Sequence, residues 1–182
     1  MRLKHGDDMF FDDLTPTEIS RVESIGKVRK YQRGDFIIHE GQTGSSFFLV
    51  ISGRVEVRKN LGDGKHRKLV ELGACDLLGE VGFLGVIFRS ASVVALSQAV
   101  LVEFERDAFD RLVQDEPMLG LKVYRGMARE LAQRLARTDD EVKDTILWAL
   151  RESQRDPTLT GPVEPPTRPK LNLAAKPFTP GN

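Results

Sequence analysis

Two charged side chains stand in an otherwise apolar and glycine-rich stretch, LLGEVGFLGVIFRSASVVAL, residues 77–96. Glu80 directly follows Gly79, and Arg89 comes nine residues later. A carboxylate only accepts hydrogen bonds, so it suits a sugar hydroxyl, which must donate. A guanidinium is planar and permanently charged, which makes it the preferred bidentate partner of a phosphate. The pair therefore predicts a site that holds a sugar and a phosphate together.

The residues around the two charges add a role for the backbone. Gly79 has no Cβ, so a ligand can approach the main chain closely. The segment between Glu80 and Arg89 has room for one short helical turn, whose N–H groups could add to the anion site. A ribose beside a phosphate, in a pocket with an apolar wall for a base, describes a cyclic nucleotide. We therefore expect a cyclic nucleotide as the ligand.

Short β-rich runs position this stretch. DFIIHE, FFLVIS, RVEVRKN and RKLVEL precede Glu80, and ASVVAL and AVLVEFE follow Arg89. Glycines divide them at about the 8–12-residue spacing of an all-β barrel or sandwich. NLGDGKHR indicates a hairpin loop, because Gly62 and Gly64 can take positive φ, and the basic run around it is interpreted as a solvated tip. The predicted fold class is mainly β with flanking helices, a small antiparallel barrel or jelly roll.

Helices are predicted on both sides of the β block. Thr15 is the expected N-cap of an N-terminal helix, with Pro16 at the first helical position and Glu18 completing a capping box. RDAFDRLVQDEP predicts a short amphipathic helix, and a long helix follows from Pro117. A helix of about 35 residues extends roughly 50 Å, more than a small barrel can cover. The helix carries a seam of residues at alternating spacings of three and four, part of which the barrel cannot cover, and this predicts a homodimer through the helix. The seam consists of Leu131, Leu135, Thr138, Val142, Thr145 and Ala149.

Composition excludes several classes of protein. The 27 basic and 27 acidic residues cancel, so no overall field attracts nucleic acid or an anionic membrane. A single cysteine excludes an internal disulfide, and three scattered histidines predict no metal site. No signal peptide or membrane-length apolar run is visible, which predicts a cytoplasmic protein.

Seven of the nine prolines lie in residues 157–182, so we expect a domain over 10–155 and a flexible tail over 156–182.

Over about residues 10–150 the chain resembles the cyclic-nucleotide-binding domain family. FFDDLTPTEISRV looks like the family's N-terminal helix, and YQRGDFIIHEGQTGSSFFLVISGRVEV is similar to its glycine-containing strand block. LGACDLLGEVGFLGVIFRSASV looks like its phosphate-binding cassette. The resemblance implies Glu80 on the ribose 2′-hydroxyl, Arg89 on the cyclic phosphate, and Thr138 against the base. The full set of predicted ligand-binding residues is Gly79, Glu80, Val81, Arg89, Ser90, Ala91 and Thr138.

Three residues depart from the family's pattern. Phe88 stands where many members have proline, Cys75 replaces a usual glycine, and Gly82 stands where alanine is common. None of these changes removes a charged contact. Two assignments also stay open: Thr138 is either a base contact or a tolerated polar seam residue, and Leu69 or Val70 lines the base pocket or packs in the core.

The favoured interpretation is a stand-alone cyclic-nucleotide sensor, for cAMP rather than cGMP, that acts on an unidentified effector protein. The alternative is a degenerate fold that has lost the ligand and serves as a dimerisation scaffold. A DNA-binding regulator would need a helix-turn-helix where the proline-rich tail stands, so intrinsic nucleic-acid binding is not expected. A cupin-type enzyme would need clustered metal ligands. We therefore expect no enzyme and no catalytic residue.

Overall fold

Two antiparallel β-sheets carry the residues of interest. The computed structural model describes residues 11–85 and 88–153, in two compact units of which the first ends at Leu131 and the second begins at Ala132. The strands described all belong to the first unit: β1 (Lys27–Tyr31), β2 (Phe36–Ile38), β3 (Phe47–Ser52), β4 (Val55–Gly62), β5 (Lys65–Leu72), β6 (Leu77–Leu78), β7 (Ser92–Ala95) and β8 (Ala99–Phe104). The helices described are α1 (Pro16–Ser24), α2 (Glu80–Leu84), α3 (Arg106–Asp115) and α4 (Pro117–Ser153).

The strands are divided equally between the two sheets. The first sheet has the order β1-β8-β3-β6 and the second has the order β2-β7-β4-β5. Every pairing is antiparallel. The predicted hairpin is also present, because Gly62 and Gly64 take φ of 85° and 72° between β4 and β5. The prediction of a mainly β fold with flanking helices is confirmed.

The first sheet is covered on both faces. Along β3, Phe47 and Leu49 pack with the helices, whereas Phe48 and Val50 pack between the two sheets. Successive side chains of a strand point to opposite faces, so a strand that is covered on both sides is apolar without interruption. The helix-side cluster ends at Met127 on α4. These two clusters form the rigid base on which the site is built.

The sequence reasoning missed the edge strand β1. Four of its five residues are exposed, and three of the five are basic, so no apolar alternation reveals it. Two ion pairs link its basic residues to the neighbouring chain segment: Lys27 Nζ lies 2.6 Å from Glu105 Oε1, and Arg29 Nε lies 2.8 Å from Glu103 Oε2. Charged residues on an edge strand also discourage pairing with other chains.

The helical predictions are confirmed within the described residues. At the start of α1, the Thr15 N–H donates to Glu18 Oε2 at 2.8 Å and the Glu18 N–H donates to Thr15 Oγ1 at 3.3 Å. Glu18 also accepts from Lys122 Nζ on α4 at 2.7 Å, which joins the two helices. Residues 154–182 lie outside the described residues, so the proline-rich tail and the domain boundary at 155/156 remain predictions.

Candidate functional site

Glu80 and Arg89 are both buried. Their exposed fractions are 4% and 8%, and within the described ranges no other charged residue is buried. Glu80 is the first residue of α2, and Arg89 lies beyond the end of that helix, which confirms the short helical turn expected between them. Burying a charge costs several kcal/mol unless compensating groups surround it. Two such charges, one at the start of a short helix and the other beyond its end, indicate a site rather than a packing element.

Backbone oxygens hold the Arg89 guanidinium in place. Its Nη1 donates to the Ser46 carbonyl at 2.8 Å and to the Gly79 carbonyl at 3.0 Å, and its Nη2 donates to Ser46 Oγ at 3.0 Å. These bonds use three of the five N–H groups of a guanidinium. The Arg89 main chain is fixed as well: its N–H donates to the Gln42 carbonyl at 2.8 Å, and its carbonyl accepts from the Gly41 N–H at 2.9 Å.

Three glycines make room for this guanidinium. A Cβ on Gly44 would lie 2.5 Å from Arg89 Nε, and a Cβ on Gly79 or Gly82 would lie 2.8 Å or 3.1 Å from Nη1. Gly79 also has φ of 80°, a left-handed conformation that disfavours other residues. Gly79 was expected to admit a ligand. The structure adds that the Arg89 side chain itself occupies the space beside it.

The three hydrogen bonds of the Arg89 guanidinium do not neutralise its positive charge. All three acceptors are carbonyl or hydroxyl oxygens, which carry no full negative charge. Burial lowers the pKa of Arg89, and the charges of Glu103 and Glu80 oppose that shift. Because arginine stays protonated in proteins, the site presents a fixed cation that is ready for an anion.

Ser90 and Ala91 follow Arg89 directly, and a lysine of β4 contacts Ser90. Lys59 Nζ donates to the Ser90 carbonyl at 2.7 Å and lies 2.8 Å from Glu40 Oε1. The sequence reasoning placed Lys59 in a solvated basic tip and did not single out Ser46. No local signal reveals either contact, because the partners are 31 and 43 residues apart in sequence.

The remaining predicted residues differ in exposure. Val81 on α2 is 36% exposed, and Phe88 is 58% exposed while its backbone pairs with Thr43. Leu69 is 44% exposed, whereas Val70 packs against the cluster between the sheets. Leu69 and Val70 thus differ in their surroundings, and which of them lines the base pocket stays a prediction.

Thr138 lies in the second unit, on the part of α4 beyond Ala132. Its side chain is exposed, and its hydroxyl donates to the Arg134 carbonyl one turn earlier at 3.0 Å. This bond is common for threonine within helices. The base contact that the resemblance implies for Thr138 stays a prediction.

A cavity of about 580 Å³ borders the cassette segment, defined as residues 79–91. Its lining residues are Thr43, Gly44, Ser45, Gly82, Gly85 and Arg106, and thus include neither Glu80 nor Arg89. In the part of the chain that the structure describes, no cluster of histidine, cysteine, aspartate and glutamate is suited to a metal ion. No described helix combines the length and apolar character needed to cross a membrane.

The fold is a two-sheet antiparallel β domain with flanking helices, in which two buried and oppositely charged residues lie at and beyond a short helix. The family model of the cyclic nucleotide-binding domain matches residues 28–116. The Cyclic AMP receptor protein of Thermus thermophilus is 35% identical over 149 residues, which cover 77% of this chain and 67% of that protein. The chain therefore belongs to the cyclic nucleotide-binding domain family, and the predicted family is confirmed.

Further comparisons support the same fold. The CRP-like cAMP-activated global transcriptional regulator of Mycobacterium tuberculosis is 26% identical over 136 residues, covering 75% of this chain and 59% of the regulator. The chain thus spans less than two thirds of that regulator. The crystal structure of a cyclic nucleotide-binding domain from Methylobacillus flagellatus superposes with a TM-score of 0.68 at 26% identity, covering 72% of this chain and 74% of that one. The jelly-roll prediction is confirmed.

Proposed function

We propose that this chain is a cyclic-nucleotide sensor in which Arg89 binds the cyclic phosphate and Glu80 binds the ribose 2′-hydroxyl. The observation that carries the proposal is the burial of these two charges, one at the start of α2 and the other beyond its end. Arg89 keeps two N–H groups beyond those that hold Ser46 and Gly79, enough for the paired hydrogen bonds that a phosphate accepts. Val81, Ser90 and Ala91 complete the proposed phosphate and sugar site around Gly79.

Replacing the cation tests the phosphate role. Arg89→Ala should weaken cyclic-nucleotide binding by roughly 30- to 4000-fold, because losing one partner of a desolvated charge pair costs about 2–5 kcal/mol. Isothermal titration calorimetry measures the affinity, and urea unfolding confirms that the variant is folded, since three hydrogen bonds are lost as well. Arg54→Ala is the control, because Arg54 pairs with Glu71 at 3.1 Å on the sheet. Equal affinity of Arg89→Ala and wild type would contradict the assignment.

A second substitution tests the ribose role. Glu80→Gln should weaken binding less than Arg89→Ala, because an amide oxygen still accepts from the 2′-hydroxyl. The loss should be smallest for the 2′-deoxy nucleotide, which lacks the contact that the substitution weakens. Equal losses for both nucleotides would argue against a role of Glu80 at the 2′-hydroxyl.

We propose cAMP as the preferred ligand. Two of the similar proteins are named for cAMP, and a serine directly after the arginine, as at Ser90, occurs in cyclic AMP binders. A hydroxyl there can also accept from a guanine amino group, so the base must be measured. Competition between cAMP and cGMP for the purified protein measures which nucleotide binds more tightly, and a clear preference for cGMP would overturn the proposal. Thr138→Val tests the predicted base contact in the same assay.

We further propose that the chain forms a parallel two-fold homodimer through residues 127–150 of α4. Exposed apolar residues recur along this helix at intervals of seven, four and four: Leu135, Val142, Ile146 and Leu150. This spacing is typical of a seam that packs against a second helix. Of the other seam members, Leu131 is partly buried and Thr138 is exposed, whereas the side chains of Thr145 and Ala149 lie outside the described residues. Nucleotide binding would then act on a protein partner through the packing of these helices.

Leu135→Asp tests the dimer. Leu135 is 63% exposed in the single chain, so the substitution costs the monomer little. In a dimer it loses roughly 1.5–3 kcal/mol of leucine burial and places a charge in the seam. Light scattering should show a wild-type dimer and a monomeric variant. A wild-type monomer, with or without nucleotide, would contradict the proposal.

One observation favours the alternative of a ligand-free scaffold. The bonds from Arg89 to Ser46 and Gly79 would stabilise the cassette segment without any ligand. Under this alternative, calorimetry with cAMP and cGMP gives no binding heat in the wild type, and Arg89→Ala changes only stability.

A further inference from the structure

We propose that Lys59, held by Glu40, orients the Ser90–Ala91 peptide so that its N–H faces the nucleotide's phosphate. Lys59 is thus a positioning residue of the site. This inference rests on the proposed function, and it extends the site to a strand that the cassette segment does not include.

Lys59 lies between an acid and a carbonyl. Its Nζ donates to the Ser90 carbonyl at 2.7 Å and forms an ion pair with Glu40 Oε1 at 2.8 Å. Glu40 is fixed in turn: its other carboxylate oxygen accepts from the Asn60 N–H at 2.9 Å, and its own N–H donates to Ser92 Oγ at 3.0 Å. The bonds from Asn60 and Lys59 lower the pKa of Glu40. The acid therefore stays ionised and keeps Lys59 in place.

Because the peptide group is planar, the direction of the Ser90 carbonyl also fixes the direction of the Ala91 N–H. The C=O of Ser90 and the N–H of Ala91 belong to one peptide group, and no cis peptide occurs among the described residues. In a trans peptide the two groups point in opposite directions. Because the carbonyl points to Lys59, the Ala91 N–H points away from it. That N–H takes part in none of the turn and loop hydrogen bonds found among the described residues.

The strand ladder does not fix this peptide. The pairing of β4 with β7 ends at Arg58 and Ser92, so residues 90 and 91 lie just beyond it. The hydrogen bond from Lys59 to the Ser90 carbonyl fixes the peptide where the strand pairing has ended. A cation on the carbonyl also polarises the amide and strengthens its N–H as a donor, since hydrogen bonds in a chain reinforce one another. The result is a backbone N–H beside Arg89 that is preset for an anion.

The test compares Lys59→Met with two other variants of the full chain. Lys59→Met keeps the aliphatic stem and loses the donor. Lys59→Arg restores a donor. Arg67→Met is the charge control, because Arg67 is paired with Lys59 across the β4–β5 hairpin and its removal changes the net charge equally. Each protein is titrated with cAMP and with its two phosphorothioate diastereomers, in which sulfur replaces one exocyclic oxygen. The amide signal of Ala91 is followed by NMR in the free protein.

We expect Lys59→Met to bind cAMP about 3- to 30-fold more weakly, as for the loss of one hydrogen bond near a charge. It should also lose most of the discrimination between the two diastereomers, because one exocyclic oxygen no longer meets a preset N–H. The Ala91 amide signal should shift in the free protein, Lys59→Arg should restore both properties, and Arg67→Met should behave as wild type.

Three results would overturn the inference. Wild-type affinity and discrimination in Lys59→Met would show that Lys59 does not position the peptide. Equal weakening by Lys59→Met and Arg67→Met, with discrimination intact, would show that only the net charge matters. If the wild type binds none of the nucleotides, the proposed function fails, and the inference fails with it. If the wild type binds and Lys59→Met binds equally well, only the inference is contradicted.

Discussion

Gly79→Ala tests how the cassette segment is held, because the substitution should lower the free energy of unfolding in two independent ways. Gly79 has φ of 80°, and a left-handed conformation costs an alanine about 1–2 kcal/mol. A Cβ would also lie 2.8 Å from Arg89 Nη1 and 3.1 Å from the Ser46 carbonyl oxygen. The guanidinium would have to move, and losing one buried bond of a charged donor costs about 1.5–3 kcal/mol. The expected total loss in free energy of unfolding is roughly 2.5–5 kcal/mol.

Other glycines separate the two costs. Gly62 has φ of 85°, and a Cβ there would meet no atom within 4 Å, so Gly62→Ala measures the backbone cost alone. Gly44→Ala measures the contact, because its Cβ would lie 2.5 Å from Arg89 Nε. In an Arg89→Ala background the contact with Nη1 disappears, and the cost of Gly79→Ala should fall towards that of Gly62→Ala, with only the looser contact of 3.1 Å to the Ser46 carbonyl oxygen remaining.

Equilibrium urea unfolding without nucleotide, followed by circular dichroism at one protein concentration, measures these losses. With a urea slope of about 2 kcal/mol per molar, a loss of about 3 kcal/mol lowers the midpoint by about 1.5 M. The reasoning is refuted if Gly79→Ala costs no more than Gly62→Ala. It is equally refuted if the extra cost is undiminished once Arg89 has been replaced.

Two further predictions concern stability alone. Cys75 has φ of 76°, so Cys75→Gly should relieve strain and raise Tm by a few degrees, on the order of 1 kcal/mol; a lower Tm in calorimetry would contradict this. The pKa of Glu18 is lowered from 4.5 to about 2 by the Lys122 bond and then by the Thr15 N–H. A lowered folded-state pKa contributes stability that is present above the unfolded pKa and is lost as pH falls through the folded one. Glu18→Gln should therefore be less stable than wild type at pH 7, and the difference should shrink between about pH 4.5 and 2; a difference independent of pH would refute the pairing.

Much of the fold was predictable because its signals are local in sequence. The capping box at Thr15, the hairpin glycines Gly62 and Gly64, and the change of period at Arg106 each depend on residues a few positions apart. The same holds for Gly79 and Glu80 at the start of α2. The edge strand β1 gave no such signal, since its exposed residues show no apolar alternation and its partner strand β8 is distant in sequence.

The order of residues along the chain is enough to establish which chemical groups the site contains: a carboxylate, a guanidinium and glycines at a spacing that one helical turn can span. How those groups are held depends on the tertiary structure. Arg89 is fixed by Ser46, and the Ser90 carbonyl by Lys59, through contacts between distant segments. The physical reason is that side-chain type is a local property, whereas the direction of a hydrogen bond depends on where two strands lie after both sheets have packed.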